Sequence, residues 1–242
     1  MKTDVVPTDL LAHADLLLWA VEGLRPEGPA APRPATVEEL DELARRTGIA
    51  ESWPGKSLKA LRDRFALLLP EIRAAERTRL FEADPVCPIN ETAYIRRDKG
   101  AILADLIGFY TAFGHRPKTD TGEKPDHLLI EIEFVAVLLA LLARAIAAEE
   151  TDNAAVTARA LSSFSRDHLG DWIGPFCARL ALTAEGTPFA DTSRLLEAAW
   201  ISLVDRLDLA PPERPADPFP RDEEGTPYEC GLCREDEPSP EC

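Results

Sequence analysis

Lys124-Pro-Asp-His-Leu-Leu-Ile-Glu-Ile-Glu-Phe-Val-Ala-Val-Leu-Leu-Ala-Leu-Leu-Ala-Arg144 is the stretch whose reading decides the fold. Pro125 and Asp126 suit a helix start, because proline has no amide hydrogen to leave unpaired and an Asp carboxylate accepts from first-turn amides. Beyond them no Gly or Pro occurs until Gly170, so nothing forces an early stop. Leu128, Leu129, Ile130, Ile132, Phe134, Val135, Val137, Leu138 and Leu139 cover every side of such a helix. A helix that is apolar all round is buried in a protein core or in a membrane. The unbroken run from Phe134 to Ala143 is about half of the ~20 residues a membrane span needs, and Glu131, Glu133 and Arg144 bracket it. The expectation is a central core helix whose polar start, Asp126-His127 with Glu131 one turn on, reaches the surface or a cleft.

The rest of the chain reads as helices around this one. Thr8 opens a helix through about Leu24, followed by the breaker-rich Arg25-Pro-Glu-Gly-Pro-Ala-Ala-Pro-Arg-Pro34. Thr36-Val-Glu-Glu39 has capping-box spacing and starts a helix ending near Gly48. Helical spacing recurs over Lys56–Leu69, Pro70–Phe81, Lys99–Phe113, Asp152 or Asn153 to His168, Trp172–Ala184 and Thr192–Leu207. Glu82–Tyr94 is irregular, and Gly114–Glu123 is a polar loop. No run alternates as a strand would. The fold class is therefore all-α: a single-domain helical bundle over residues 1–210, around a buried central helix. Residues 211–242, rich in Pro and acid, form a disordered tail that cannot bury enough apolar area to offset chain entropy.

A net charge of −16 over 242 residues argues against a nucleic-acid partner, since phosphate binding needs a basic face. It is compatible with a cationic peptide partner. Without a signal-peptide h-region or a membrane span, the expected location is the cytoplasm. Five cysteines, an odd number, fit reduced thiols.

No phosphate loop, dinucleotide fingerprint, nucleophile elbow or zinc-protease helix occurs, so no enzyme is expected. His127, Glu131 and His168 with a carboxylate could be drawn as a metal site, but His and Glu one turn apart also make an ordinary helix-face pair. Cys230-Gly-Leu-Cys233 with Cys242 is part of a zinc or iron–sulfur ligand set, and Cys87 and Cys177 join only if the tail folds back. Free thiols in a disordered tail are the plainer reading. A metal- or redox-dependent maturation factor or sensor using this tail is the alternative function.

Three separated stretches carry a resemblance. Arg79-Leu-Phe81, Pro85, Cys87-Pro-Ile-Asn-Glu91 and Tyr94 form the first; Lys124-Pro-Asp-His-Leu-Leu-Ile-Glu-Ile-Glu-Phe134 is the second; Phe164-Ser-Arg-Asp-His-Leu-Gly-Asp-Trp-Ile-Gly-Pro-Phe176 is the third. Phe109-Tyr110 and Phe113-Gly114 lie between the first two. In order and spacing the chain resembles the TorD/DmsD/NarJ family of cytoplasmic chaperones for molybdenum redox enzymes. Lys124 departs from it, standing where the family usually carries an acid. Cys87-Pro-Ile-Asn90 is similar to the subgroup serving periplasmic type II dimethyl sulfoxide reductase-like enzymes.

The resemblance implies an all-helical, non-catalytic chaperone that binds the twin-arginine leader and the apo catalytic subunit of a molybdopterin enzyme. It implies that export waits until the cofactor is inserted. Asp126 and Glu91 are then the candidate acceptors for the leader arginines. His127 and Glu131 would lie beside them, and Tyr94, Pro88 and Pro125 would line the wall. The resemblance further implies a monomer or helix-swapped dimer with a hinge at 115–124, and guanine nucleotide binding in the same loop region, for which the sequence offers no phosphate loop.

Overall fold

A computed structural model describes residues 5–25, 36–49, 53, 57–82, 84–116 and 124–209. The tail with Cys230, Cys233 and Cys242, and most of the expected hinge, lie outside them. Among the described residues the architecture is all-helical, as expected, with nine α-helices, one 3-10 turn and no strand. They are α1 (Pro7–Glu22), α2 (Val37–Thr47), α3 (Leu58–Ala66), α4 (Pro70–Phe81), α5 (Lys99–Ala112), α6 (Leu128–Ala147), α7 (Thr151–Asp167), α8 (Leu169–Thr183) and α9 (Pro188–Leu207). The 3-10 turn, Glu91–Ala93, sits in the irregular segment before α5.

The apolar run 128–147 is the central helix. Leu128, Ile132, Phe134, Val135, Leu138, Leu139 and Leu142 are fully buried. It packs between α1 and α7, and α8 and α9 close the bundle behind them. The smaller α2 and α3 cover the outer side of α1 and α9. Burying a Leu or Phe contributes roughly 1.5–3 kcal/mol each, so this one helix anchors the core.

Local chemistry sets most of the ends. Thr36 and Glu39 form the expected reciprocal capping box, with Glu39 N donating to Thr36 Oγ1 at 3.1 Å and Thr36 N to Glu39 Oε2 at 2.9 Å. Gly48, at φ +67°, closes α2 in the left-handed conformation that glycine tolerates. Pro70 opens α4 as expected. Several boundaries differ: α8 starts at Leu169 rather than Trp172, α3 is shorter than Lys56–Leu69, and three other starts have a clear local cause. Pro7, not Thr8, opens α1, because proline is pre-set for the first helical position. Pro188 does the same for α9, four residues before the expected Thr192. Asp126 does not cap α6: His127 is the N-cap, its Nδ1 accepting from Leu129 N at 3.2 Å.

Helices α7 and α8 meet at a single residue. His168 (φ −132°, ψ −107°) separates Asp167 from Leu169, and its ring is fully buried. Gly170 allows the crossing, because a Cβ there would lie 2.0 Å from the Ser165 carbonyl oxygen. An aromatic cluster fills the space between these helices and α6. Phe134 and Phe164 are 4.8 Å apart, and Tyr94 stacks on Trp172 at 5.5 Å.

Candidate functional site

The start of α6 and the irregular segment before α5 are stitched together. Glu91 N donates to Asp126 O at 2.9 Å and Leu128 N to Ile89 O at 3.0 Å, so Asn90 and His127 pair as one antiparallel bridge. The Asp126 side chain turns into this seam. Its carboxylate accepts from Asn90 Nδ2 (3.1 Å), Thr92 N (3.2 Å) and Thr92 Oγ1 (2.7 Å). That explains why Asp126 is not the helix cap: its acceptors serve the neighbouring turn instead of α6. Pro88 and Pro125 flank the seam, half-buried, and a tyrosine hydroxyl holds each carbonyl. Tyr94 Oη donates to Pro88 O and Tyr110 Oη to Pro125 O, both at 2.8 Å.

Behind the seam lies a buried chain of ionisable groups. Glu91, fully buried, accepts from Arg97 Nη2 at 3.1 Å and meets His168 Nδ1 at 3.1 Å. His168 Nε2 faces Asp105 Oδ2 at 3.2 Å. Arg97 also donates to the Asp167 carbonyl at 2.6 Å, which ties the turn to the α7–α8 joint. Trp172 Nε1 donates to Glu131 Oε2 at 3.1 Å, and Glu131 Oε1 has no hydrogen-bond partner. Burial, then the nearby Glu91 carboxylate, holds the Glu131 carboxyl well above the ordinary carboxylate range, which favours its protonated form.

His127 is buried too, at 6% exposure. Burial, then the Arg77 guanidinium, lowers its imidazole from 6.5 to about 4, against the pull of Asp126. At neutral pH it is an uncharged cap. The structure therefore brings together Asp126, His127, Glu91, Tyr94, Pro88, Pro125 and Glu131, which the sequence placed in one site. It does not leave their polar atoms open. Among the described residues the polar start of α6 does not reach the expected surface or cleft: Asp126, Glu91 and Glu131 are all at 0% exposure. A buried carboxylate is costly unless its acceptors are filled, and for Asp126 and Glu91 the filling comes from the chain itself.

Arg97 and Asp105 join this cluster without having been singled out, and His168 joins it as the partner of Glu91 and Asp105 rather than as a metal ligand. The Phe164–Phe176 stretch carried His168, but nothing local indicated that Glu91, 77 positions away, would be its partner. The metal arrangement drawn from His127, Glu131 and His168 meets other geometry: the His127 Nδ1 lone pair is on Leu129 N, and both His168 nitrogens face carboxylates. Among the described residues no group of three or more His, Cys, Asp or Glu side chains is placed to hold a metal. Cys87 and Cys177 are buried thiols; burial pushes Cys87 up to about 11 and Cys177 well above its usual value, so neither offers a thiolate at neutral pH. No described helix is long and apolar enough to cross a membrane.

A second feature was not anticipated. A cleft of about 270 Å³ opens between the end of α1 and α3, with Trp19, Gly23, Leu61, Phe65 and Ala66 among its walls and Glu22 at its rim. Glu22 and Glu133 share one guanidinium, Arg25, whose Nε donates to Glu22 Oε2 at 3.1 Å and Nη2 to Glu133 Oε1 at 2.6 Å.

Over 85 residues the chain is 35% identical to the selenate reductase assembly chaperone protein of Thauera selenatis, covering 35% of this chain and 43% of that protein. Over 87 residues it is 34% identical to the chlorate reductase assembly chaperone protein of Ideonella dechloratans, covering 36% of this chain and 44% of that one. The matched part thus spans less than half the length of either relative. No solved structure matches the chain. The sequence profile of the nitrate reductase delta subunit family matches residues 38–178, which take in the seam, the buried ionisable cluster and the α7–α8 joint. That span is more than half of the 242 residues and bears out the resemblance drawn from the motifs: the chain belongs to the nitrate reductase delta subunit family.

Proposed function

We propose that the protein is a non-catalytic assembly chaperone for the catalytic subunit of a molybdenum-containing reductase. The observation that carries this reading is the family match over 38–178, together with two relatives named as assembly chaperones of reductases. Such a chaperone holds the cofactor-free subunit and recognises its twin-arginine leader in the cytoplasm, delaying export until the cofactor is in place. The acidic surface charge supports a cationic client segment.

In this reading Asp126, Glu91, Glu131 and His168 act as positioning residues. They lock the turn before α5 onto the start of α6 and onto the α7–α8 joint, so that the surfaces around them have fixed shape. Their burial, and the internal hydrogen bonds that Asp126, Glu91 and His168 make, support that role over direct contact with a client arginine.

The test is co-purification of the full chain with the catalytic subunit of the molybdenum reductase from the same genome, produced with and without cofactor synthesis. A complex with the apo subunit that dissolves once the cofactor is loaded is expected. Equal capture of both forms, or of neither, would overturn the reading.

A further inference from the structure

The cleft beside α1 has the features that the start of α6 lacks. Its walls are mostly apolar, with Arg62 and Thr192 as the polar exceptions beside Glu22, and Trp19 contributes a buried indole whose N–H has no acceptor. Gly23 lets the Phe65 ring pack against α1 at the cleft wall, since a Cβ there would sit 2.6 Å from that ring. The apolar surface continues past Ala66 into Leu67 and Leu69, exposed at 84% and 60%. At the other end stand Glu22 and Glu133, each with a partly exposed carboxylate, and one arginine between them that is itself one-third exposed. An acidic pair next to an apolar trough complements a segment that carries arginine followed by apolar residues.

We infer that this cleft seats the client's leader, and that Arg25 is an internal stand-in which the leader's arginine displaces from Glu22 and Glu133. The inference rests on the leader-binding part of the proposed function. The exchange replaces one guanidinium by another, so neither carboxylate is left without a partner and the apolar stretch supplies the net gain. Arg25 raises the threshold for other cations: a lone lysine or arginine must compete with a tethered one and brings no apolar area to offset the loss.

Anisotropy of a fluorescein-labelled leader peptide from the same reductase, two adjacent arginines followed by its apolar stretch, reads this out on the full-length chain. Glu133→Gln removes half of the acidic pair and is expected to weaken binding about tenfold. Arg25→Gln removes the competitor and is expected to tighten binding severalfold, the opposite sign. Ala66→Trp adds bulk at an exposed position on the cleft wall and is expected to weaken binding at least tenfold, with an unchanged thermal midpoint showing that the fold survives. Weaker or unchanged binding in Arg25→Gln overturns the competitor role. Unchanged binding in folded Ala66→Trp overturns the seat while leaving the chaperone reading intact. Failure of the wild-type chain to bind the peptide, while it still captures the apo subunit, overturns leader recognition and the seat together and leaves assembly of the subunit standing.

Discussion

Replacing Asp126 by Ala separates a structural carboxylate from a client-binding one. In the structure its oxygens take three hydrogen bonds, from Asn90 Nδ2, Thr92 N and Thr92 Oγ1. Hydrogen bonds to a charged group contribute about 1.5–3 kcal/mol each, but truncation also removes the cost of burying the carboxylate. Three neutral donors lose their buried acceptor, at about 1–3 kcal/mol each, and the recovered burial cost leaves roughly 3–5 kcal/mol net. That is a large part of a total stability on the order of 5–15 kcal/mol. For a folded body of this size each kcal/mol lowers the thermal midpoint by about 2–4 °C, so a drop on the order of 10 °C is expected. Far-UV circular dichroism melts of the purified variant measure it. Thr92→Val, which removes the 2.7 Å bond, should cost about 1 kcal/mol, and the pair should be less than additive because both changes cut one network. If Asp126→Ala melted within about 2 °C of wild type while leader binding vanished, the carboxylate would be serving the client and the positioning role would be wrong.

Acid should destabilise the fold through His127. Its imidazole titrates near 6.5 in the unfolded chain and about 4 when folded, so between those values only the unfolded state binds the proton. The stability is fully present above about pH 6.5 and falls as pH drops toward 4, by roughly 2–3 kcal/mol at 1.36 kcal/mol per pH unit. Urea melts at pH 7 and pH 4.5 should show that loss in wild type and its near-absence in His127→Asn, which keeps a capping acceptor. Glu131 has the opposite sign: its folded carboxyl keeps a proton that the unfolded one releases above about 4.5, so stability falls as pH rises. Glu131→Gln, still able to accept from Trp172, should raise the denaturation midpoint at pH 7–8; a lower midpoint there would mean that the carboxylate, not the acid, is the native form. Gly170→Ala should lose about 3 kcal/mol or more from the clash with Ser165 O, whereas Gly174→Ala, with open space around its Cβ, should be neutral or stabilising by up to ~1 kcal/mol. Equal melting temperatures for the two would contradict the tight α7–α8 crossing.

Much of the bundle was legible because it depends on local chemistry. The all-round apolar run of α6, the Thr36–Glu39 box and Pro70 at a helix start each act within a few residues. Pro188 carried the same signal as Pro70, and reading Thr192 as the start of α9 gave it too little weight. The site was legible as a set of residues but not as a state. Polarity at a helix start suggested exposure, yet Asp126 is covered because Asn90 and Thr92 approach it from 34 to 36 positions away. The Glu91–His168 contact and the sharing of Arg25 by Glu22 and Glu133 are likewise tertiary, set by how α1, α6 and the α7–α8 joint pack. No periodicity encodes which distant partner fills a carboxylate.

The seam at Asn90 and His127 makes a closed ring of the chain between Glu91 and Asp126, with α5 as an excursion stitched at both ends. Closing a ring of about 35 residues costs on the order of 3 kcal/mol of chain entropy, which the seam's hydrogen bonds offset. The peptide link between 117 and 123 is therefore not what holds α5 to α6. A single cut there opens the ring and leaves two fragments that stay paired, and that should find each other again when produced as separate chains.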